Sequence, residues 1–140
     1  MSPRILAAAL LLFTACSRQD PASEQAKLER EFETMLTNAT LVGSFSVGSR
    51  ISGDRYKVTK VTHLAGDKWL IHSQIGKKDI SIPVPVTVRW AGDTAVIMLT
   101  DVGLPGMSTY SARVLFYRGQ YAGTWSSPKH GGQMWGVIQH

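Results

Sequence analysis

From residue 79 to residue 90 the chain alternates without a break. Ile80, Ile82, Val84, Val86, Val88 and Trp90 occupy one set of positions; Asp79, Ser81, Pro83, Pro85, Thr87 and Arg89 occupy the other. Successive side chains of a β-strand point to opposite faces, so this period of two marks a strand with one face buried and one wet. A half-buried strand needs partners, and the rest of the chain must supply them.

The same period runs from Leu41 to the end. Strands are predicted near 41–47, 55–64, 68–75, 79–90, 94–100, 108–118, 120–127 and 132–139. Turn chemistry separates them at Ser52-Gly53-Asp54, Ala65-Gly66-Asp67, Ala91-Gly92-Asp93, Arg118-Gly119-Gln120 and His130-Gly131-Gly132. Short strands punctuated by glycine turns indicate an antiparallel barrel or barrel-like sandwich of about eight strands, spanning 40–140. Pro83 and Pro85 constrain it further. Both lie on one side of their strand and have no N–H to donate, so two successive ladder bonds are missing there. The expected result is a bend, with 79–82 pairing back to 68–75 and 86–90 pairing forward to 94–100.

An amphipathic helix is predicted over 22–38. Asp20 is a good N-cap and Pro21 suits the first helical position. Leu28, Phe32, Met35 and Leu36 share one face, charged residues cover the others, and Thr37-Asn38 marks the end. The apolar stripe is expected to pack on the sheet of the same domain.

The N-terminus reads differently. Arg4 precedes an apolar run from Ile5 to Phe13, followed by small Thr14-Ala15 and then polar Ser17-Arg18-Gln19-Asp20. This is the plan of a secretory signal, and the run falls well short of the about 20 apolar residues a membrane span needs. Phe13-Thr14-Ala15-Cys16 resembles the lipobox of bacterial lipoproteins, with Phe13 standing where Leu is usual. The resemblance implies a signal peptide over 1–15, cleavage before Cys16, lipid attachment at Cys16 and a lipidated tether over 16–21. It also implies a cell-envelope location, with Ser17 after the cysteine favouring the outer membrane or the periplasmic face. Cys16 is the only cysteine, so the chain has no internal disulfide.

Chemistry is sparse. No Glu follows Glu33, and Asp54, Asp67, Asp79, Asp93 and Asp101 all fall in predicted turns or strand ends, where Asp caps its own backbone. His63, His72, His130 and His140 lack the short spacings of a metal site; His63 and His72 flank one hairpin and could face each other, but without a third ligand they do not make one. Nucleophile elbows, phosphate loops and dinucleotide fingerprints are absent. No catalytic residue, metal ligand or cofactor is therefore assigned. From residue 40 onward eleven Lys and Arg stand against five Asp, but the bases are scattered singly apart from Lys77-Lys78. That pattern is a solvated surface, and no nucleic-acid partner is expected.

The terminal segments Tyr121-Ala122-Gly123-Thr124-Trp125 and Gly132-Gln133-Met134-Trp135-Gly136-Val137-Ile138 resemble the strand ends of lipocalin- and avidin-like barrels. Two readings stay open: aromatics filling a solid core, or aromatics lining a ligand cavity. The expected function is a non-enzymatic, lipid-anchored envelope domain that binds a small apolar ligand or an envelope partner. The alternative is a structural or assembly lipoprotein with a solid core; a hydrolase ranks below both. A binding barrel should enclose about 300 Å³ or more, whereas a packed core leaves only water-sized voids. The cavity is expected behind the 80–90 face, Trp90 included, with some of Trp69, Trp125 and Met134. Segment 101–107 is its natural lid, because Leu104 and Met107 are otherwise unexplained.

Overall fold

The computed structural model describes residues 18–74 and 80–140. Helix α1 (Pro21–Leu36) precedes eight strands: β1 (Ala39–Val47), β2 (Arg50–Ala65), β3 (Lys68–Gln74), β4 (Ser81–Ala91), β5 (Thr94–Gly103), β6 (Thr109–Tyr117), β7 (Gln120–Ser126) and β8 (Gly131–Gln139). Each strand pairs antiparallel with the next, and Thr40–Phe45 of β1 pair with Met134–Gln139 of β8 to close a barrel. Closure leaves no exposed sheet edge at that seam. Residues 1–17, including the signal-like segment and Cys16, lie outside the described residues, as do 75–79 with Lys77, Lys78 and Asp79.

The helix begins where its capping residues dictate. Asp20 Oδ1 accepts from the Ala22 N–H at 3.3 Å, and Pro21 occupies the first turn. It ends with the Thr37 N–H donating to the Glu33 carbonyl and with Asn38 at φ 56°. Phe32 and Leu36 are buried; the predicted stripe packs into the end of the barrel.

All eight predicted strands are present, with two corrections to the turns. Gly131 and Gly132, expected in a turn, open β8 opposite Ser126 and Trp125, and the reversal falls at 127–130. Ser52-Gly53-Asp54 is not a turn. It lies inside β2, opposite Phe45-Ser44-Gly43 of β1, and the chain reverses earlier, at Gly48 with φ 58°. The turns at Gly66, Gly92 and Gly119 occur as expected, each glycine at positive φ. They gather at one end with α1, which closes it. Gly48 and the 104–108 and 127–130 loops lie at the other end, which the described residues leave open.

Single extra residues interrupt the ladder in β2 and between Leu99 and Val102 in β5. Such bulges bend a strand and re-aim its side chains. The partner change expected near the prolines is present but comes later: pairing with β3 continues past residue 82 and both prolines to Thr87, and pairing with β5 begins only at Thr87.

Candidate functional site

Alternation along the closed wall sends a layer of aromatic side chains to the helix end. Phe32 meets Trp69, Trp90 and Phe116 edge-on, at centroid distances of 5.2, 6.0 and 6.4 Å. His63 stacks on Trp69 at 4.2 Å; its Nε2 lies 2.7 Å from the Gly66 carbonyl and its Nδ1 lies 3.5 Å from Glu29 of α1. Phe32 thus fills the barrel axis at this end, leaving a groove between α1 and the rim beside Trp90 and Arg118.

The other half of the barrel is not filled. Above Leu36 and Phe116 an apolar chamber of about 190 Å³ is lined by Leu41, Val58, Ile71, Val84, Val86, Ile97, Leu99 and Val114, with Tyr56 and Ser73 its only polar side chains. Toward the open end it meets a vestibule of about 330 Å³ walled by Phe45, Tyr110, Ser111, Trp125 and Met107. Tyr56, Leu104, Ala112 and Met134 line both spaces. The vestibule reaches the size typical of ligand pockets; the chamber alone does not. Small side chains create the room, since Ser73 and Ala112 point inward where larger residues would fill the lumen.

Polar groups in this region are few and placed at the junction. Burial, and then the neighbouring Asp54 carboxylate, push the Tyr56 hydroxyl well above the usual phenol range, so it stays a neutral donor. Burial followed by the Asp54 charge raises Tyr121 in the same direction. Trp125 donates its indole N–H to the Ser46 carbonyl at 3.2 Å, fixing an aromatic wall of the vestibule.

The predicted lining residues divide between the two halves. Val84, Val86 and Met134 line the chamber, and Trp125 lines the vestibule. Val88, Trp90 and Trp69 belong to the helix end. Ile80 is 62% exposed, and neither it nor the half-buried Ile82 lines either space. The void expected behind Trp90 is not found; Phe32 occupies that place, and the unfilled space lies behind Val84 and Val86 instead. Of the predicted lid, Leu104 reaches into both spaces and Met107 lies over the vestibule, held by a turn in which the Met107 N–H donates to the Leu104 carbonyl at 3.0 Å.

The proposed facing of His63 and His72 does not occur. His63 pairs across from Trp69 and His72 from Lys60, on opposite faces of the sheet. Among the described residues no three His, Cys, Asp or Glu side chains converge as a metal-ligand group. Sequence reading missed Tyr56 and Ala112; the alternation of β2 and β6 places them inward, but only the assembled barrel puts them at one level.

Compared with protein families, curated proteins and solved structures, the chain matches none.

Proposed function

We propose that the domain is a non-enzymatic binding barrel, lipid-anchored in the cell envelope through Cys16, that holds one small apolar ligand. The observation that carries this reading is the unfilled apolar chamber, floored by Leu36 of α1 and roofed by Leu104. A protein whose only task is structural gains from filling such a space, because an apolar void forfeits packing contacts. Cys16 lies five residues before the start of a helix that lies across the closed end, so an anchor there leaves the open end accessible. Two acyl chains at that cysteine make attachment effectively stable, at about 0.8 kcal/mol per buried methylene.

Native mass spectrometry of the protein extracted from envelopes tests the binding reading. Wild type is expected to carry a ligand mass that Ala112→Phe, which fills the junction, does not. The variant should keep its fold and bind an apolar fluorescent probe at least tenfold more weakly. Ligand-free wild type that also fails to take up the probe would leave the structural alternative standing. The anchor has its own test. Cys16→Ser should stop lipidation, so that the precursor accumulates or the domain is released in soluble form; membrane fractionation and gel migration like wild type would overturn it.

A further inference from the structure

The barrel wall is unevenly sealed. β3 and β4 pair from Gln74↔Ser81 to Lys68↔Thr87, whereas β4 and β5 pair only from Thr87↔Met98 to Ala91↔Thr94. Ser81–Val86 and Leu99–Gly103 continue both strands with no ladder between them.

Two sets of residues create this seam. The Val88 N–H donates to the Asp67 carbonyl, on the β3 side, at 2.8 Å. N–H directions alternate along a strand, so positions 83 and 85 are the ones that face β5, and both are proline without a donor. The β5 edge is meanwhile drawn toward β6. Arg113 donates to the Leu99 carbonyl at 2.5 Å and to the Thr100 hydroxyl at 3.0 Å. Ser111 Oγ accepts from the Asp101 N–H at 2.9 Å, with Asp101 at φ 50°. On the opposite flank Ser81 Oγ lies 2.7 Å from Thr59 Oγ1, which donates to the His72 carbonyl. Each flank is fastened away from the seam.

Directly behind it lies the chamber, with Val84 and Val86 on one flank and Leu99 and Leu104 on the other. We propose that the seam is a lateral portal and that the site takes a single slender apolar chain, not a lipid with paired chains. The proposal rests on the ligand-binding reading above. An apolar cavity of roughly 150 Å³ holds one benzene ring, so the chamber of about 190 Å³ behind the seam has room for the end of one chain and not for two side by side. Six residues of β4 and five of β5 face each other without a ladder, a stretch roughly 17–20 Å long. A chain entering sideways keeps its polar end in water throughout, which avoids the cost of drawing that end through a lumen with no charged side chain buried among the described residues.

The test joins Pro85→Cys with Thr100→Cys, the pair that continues the Thr87↔Met98 register. It is made in the full chain with Cys16→Ser, so that the two new thiols pair only with each other. The probes are a fluorescent single-chain alcohol and a fluorescent two-chain glycerolipid. The reduced protein is expected to bind the single chain at least tenfold tighter than the paired one. Oxidation should slow loading at least tenfold, and reductant should restore it. Pro83→Val/Pro85→Val supplies the missing donors and should slow loading in the same sense once amide exchange shows a ladder across the seam. Equal loading by the open and closed forms overturns the portal while leaving ligand binding intact. Equal affinity for the two-chain probe overturns the single-chain assignment. Failure of every form to bind either probe overturns the binding reading and this inference with it.

Discussion

Gly43→Ala is expected to abolish folding, while Gly53→Ala on the adjacent strand should leave the domain as stable as before or slightly more so. Gly43 of β1 sits directly opposite Gly136 of β8, and Gly136 sits opposite Tyr121 of β7. The Tyr121 side chain crosses this row. Its hydroxyl lies 2.6 Å from where a methyl on Gly43 would be and 2.7 Å from the equivalent point on Gly136. The Trp135 carbonyl and the Gly136 Cα crowd the Gly43 position as well, the latter at 2.7 Å. These are backbone atoms of the seam that closes the barrel, so relief requires parting β1 from β8. A loss above about 4 kcal/mol is expected, from the few mechanisms that reach that size, against a total domain stability of roughly 5–15 kcal/mol. At Gly53 the nearest atom to an added methyl is 3.9 Å away and φ is not positive. Alanine there restricts mainly the unfolded chain, worth about 0.4–1 kcal/mol in favour of folding. Soluble yield and thermal unfolding of the two variants side by side decide it. A Gly43→Ala protein that melts within a few degrees of wild type would show that the seam has slack.

That glycine row was not read from the sequence, because it needs the register of β1, β7 and β8. The period of two announced every strand, because each has one face in a common core, and the capping residues announced the helix. Pro83 and Pro85 announced the partner change, since a missing N–H is a property of the residue and not of its surroundings. Ser52-Gly53-Asp54 misled for the complementary reason. Its composition is that of a turn, but Gly48 can take the positive φ the reversal needs, and pairing with β1 then carries β2 straight through. The cavity was the least legible feature. Alternation shows which residues point inward, not how far along the axis each one falls. Trp90 and Val84 share a face, yet one packs on Phe32 and the other lines empty space. Whether a lumen fills depends on the summed volumes at each level, and those sums need the register of all eight strands.

The helix end carries the second large effect. Phe32→Ala is expected to destabilise the domain by about 3–5 kcal/mol, the range for emptying a buried aromatic site. Phe32 is 2% exposed and its ring is the one surface that Trp69, Trp90 and Phe116 all meet edge-on. Those three come from β3, β4 and β6, so the ring ties the helix to most of the barrel's girth. At roughly 4 °C per kcal/mol for a domain of this size, the melting temperature should fall by roughly 10–20 °C. Leu28→Ala is the comparison. Leu28 lies on the same helical face but only half-buried, in the groove beside Trp90 and Arg118, and its loss should be near 1 kcal/mol. The difference separates two roles for α1. If the helix merely leans on the rim, the two substitutions cost the same and proteolysis within 21–36 is equally fast in both. If it is the plug, Phe32→Ala alone exposes the helix to protease. Leu36, which floors the chamber, is then withdrawn with it, so apolar probe binding is lost together with the helix and not independently of it.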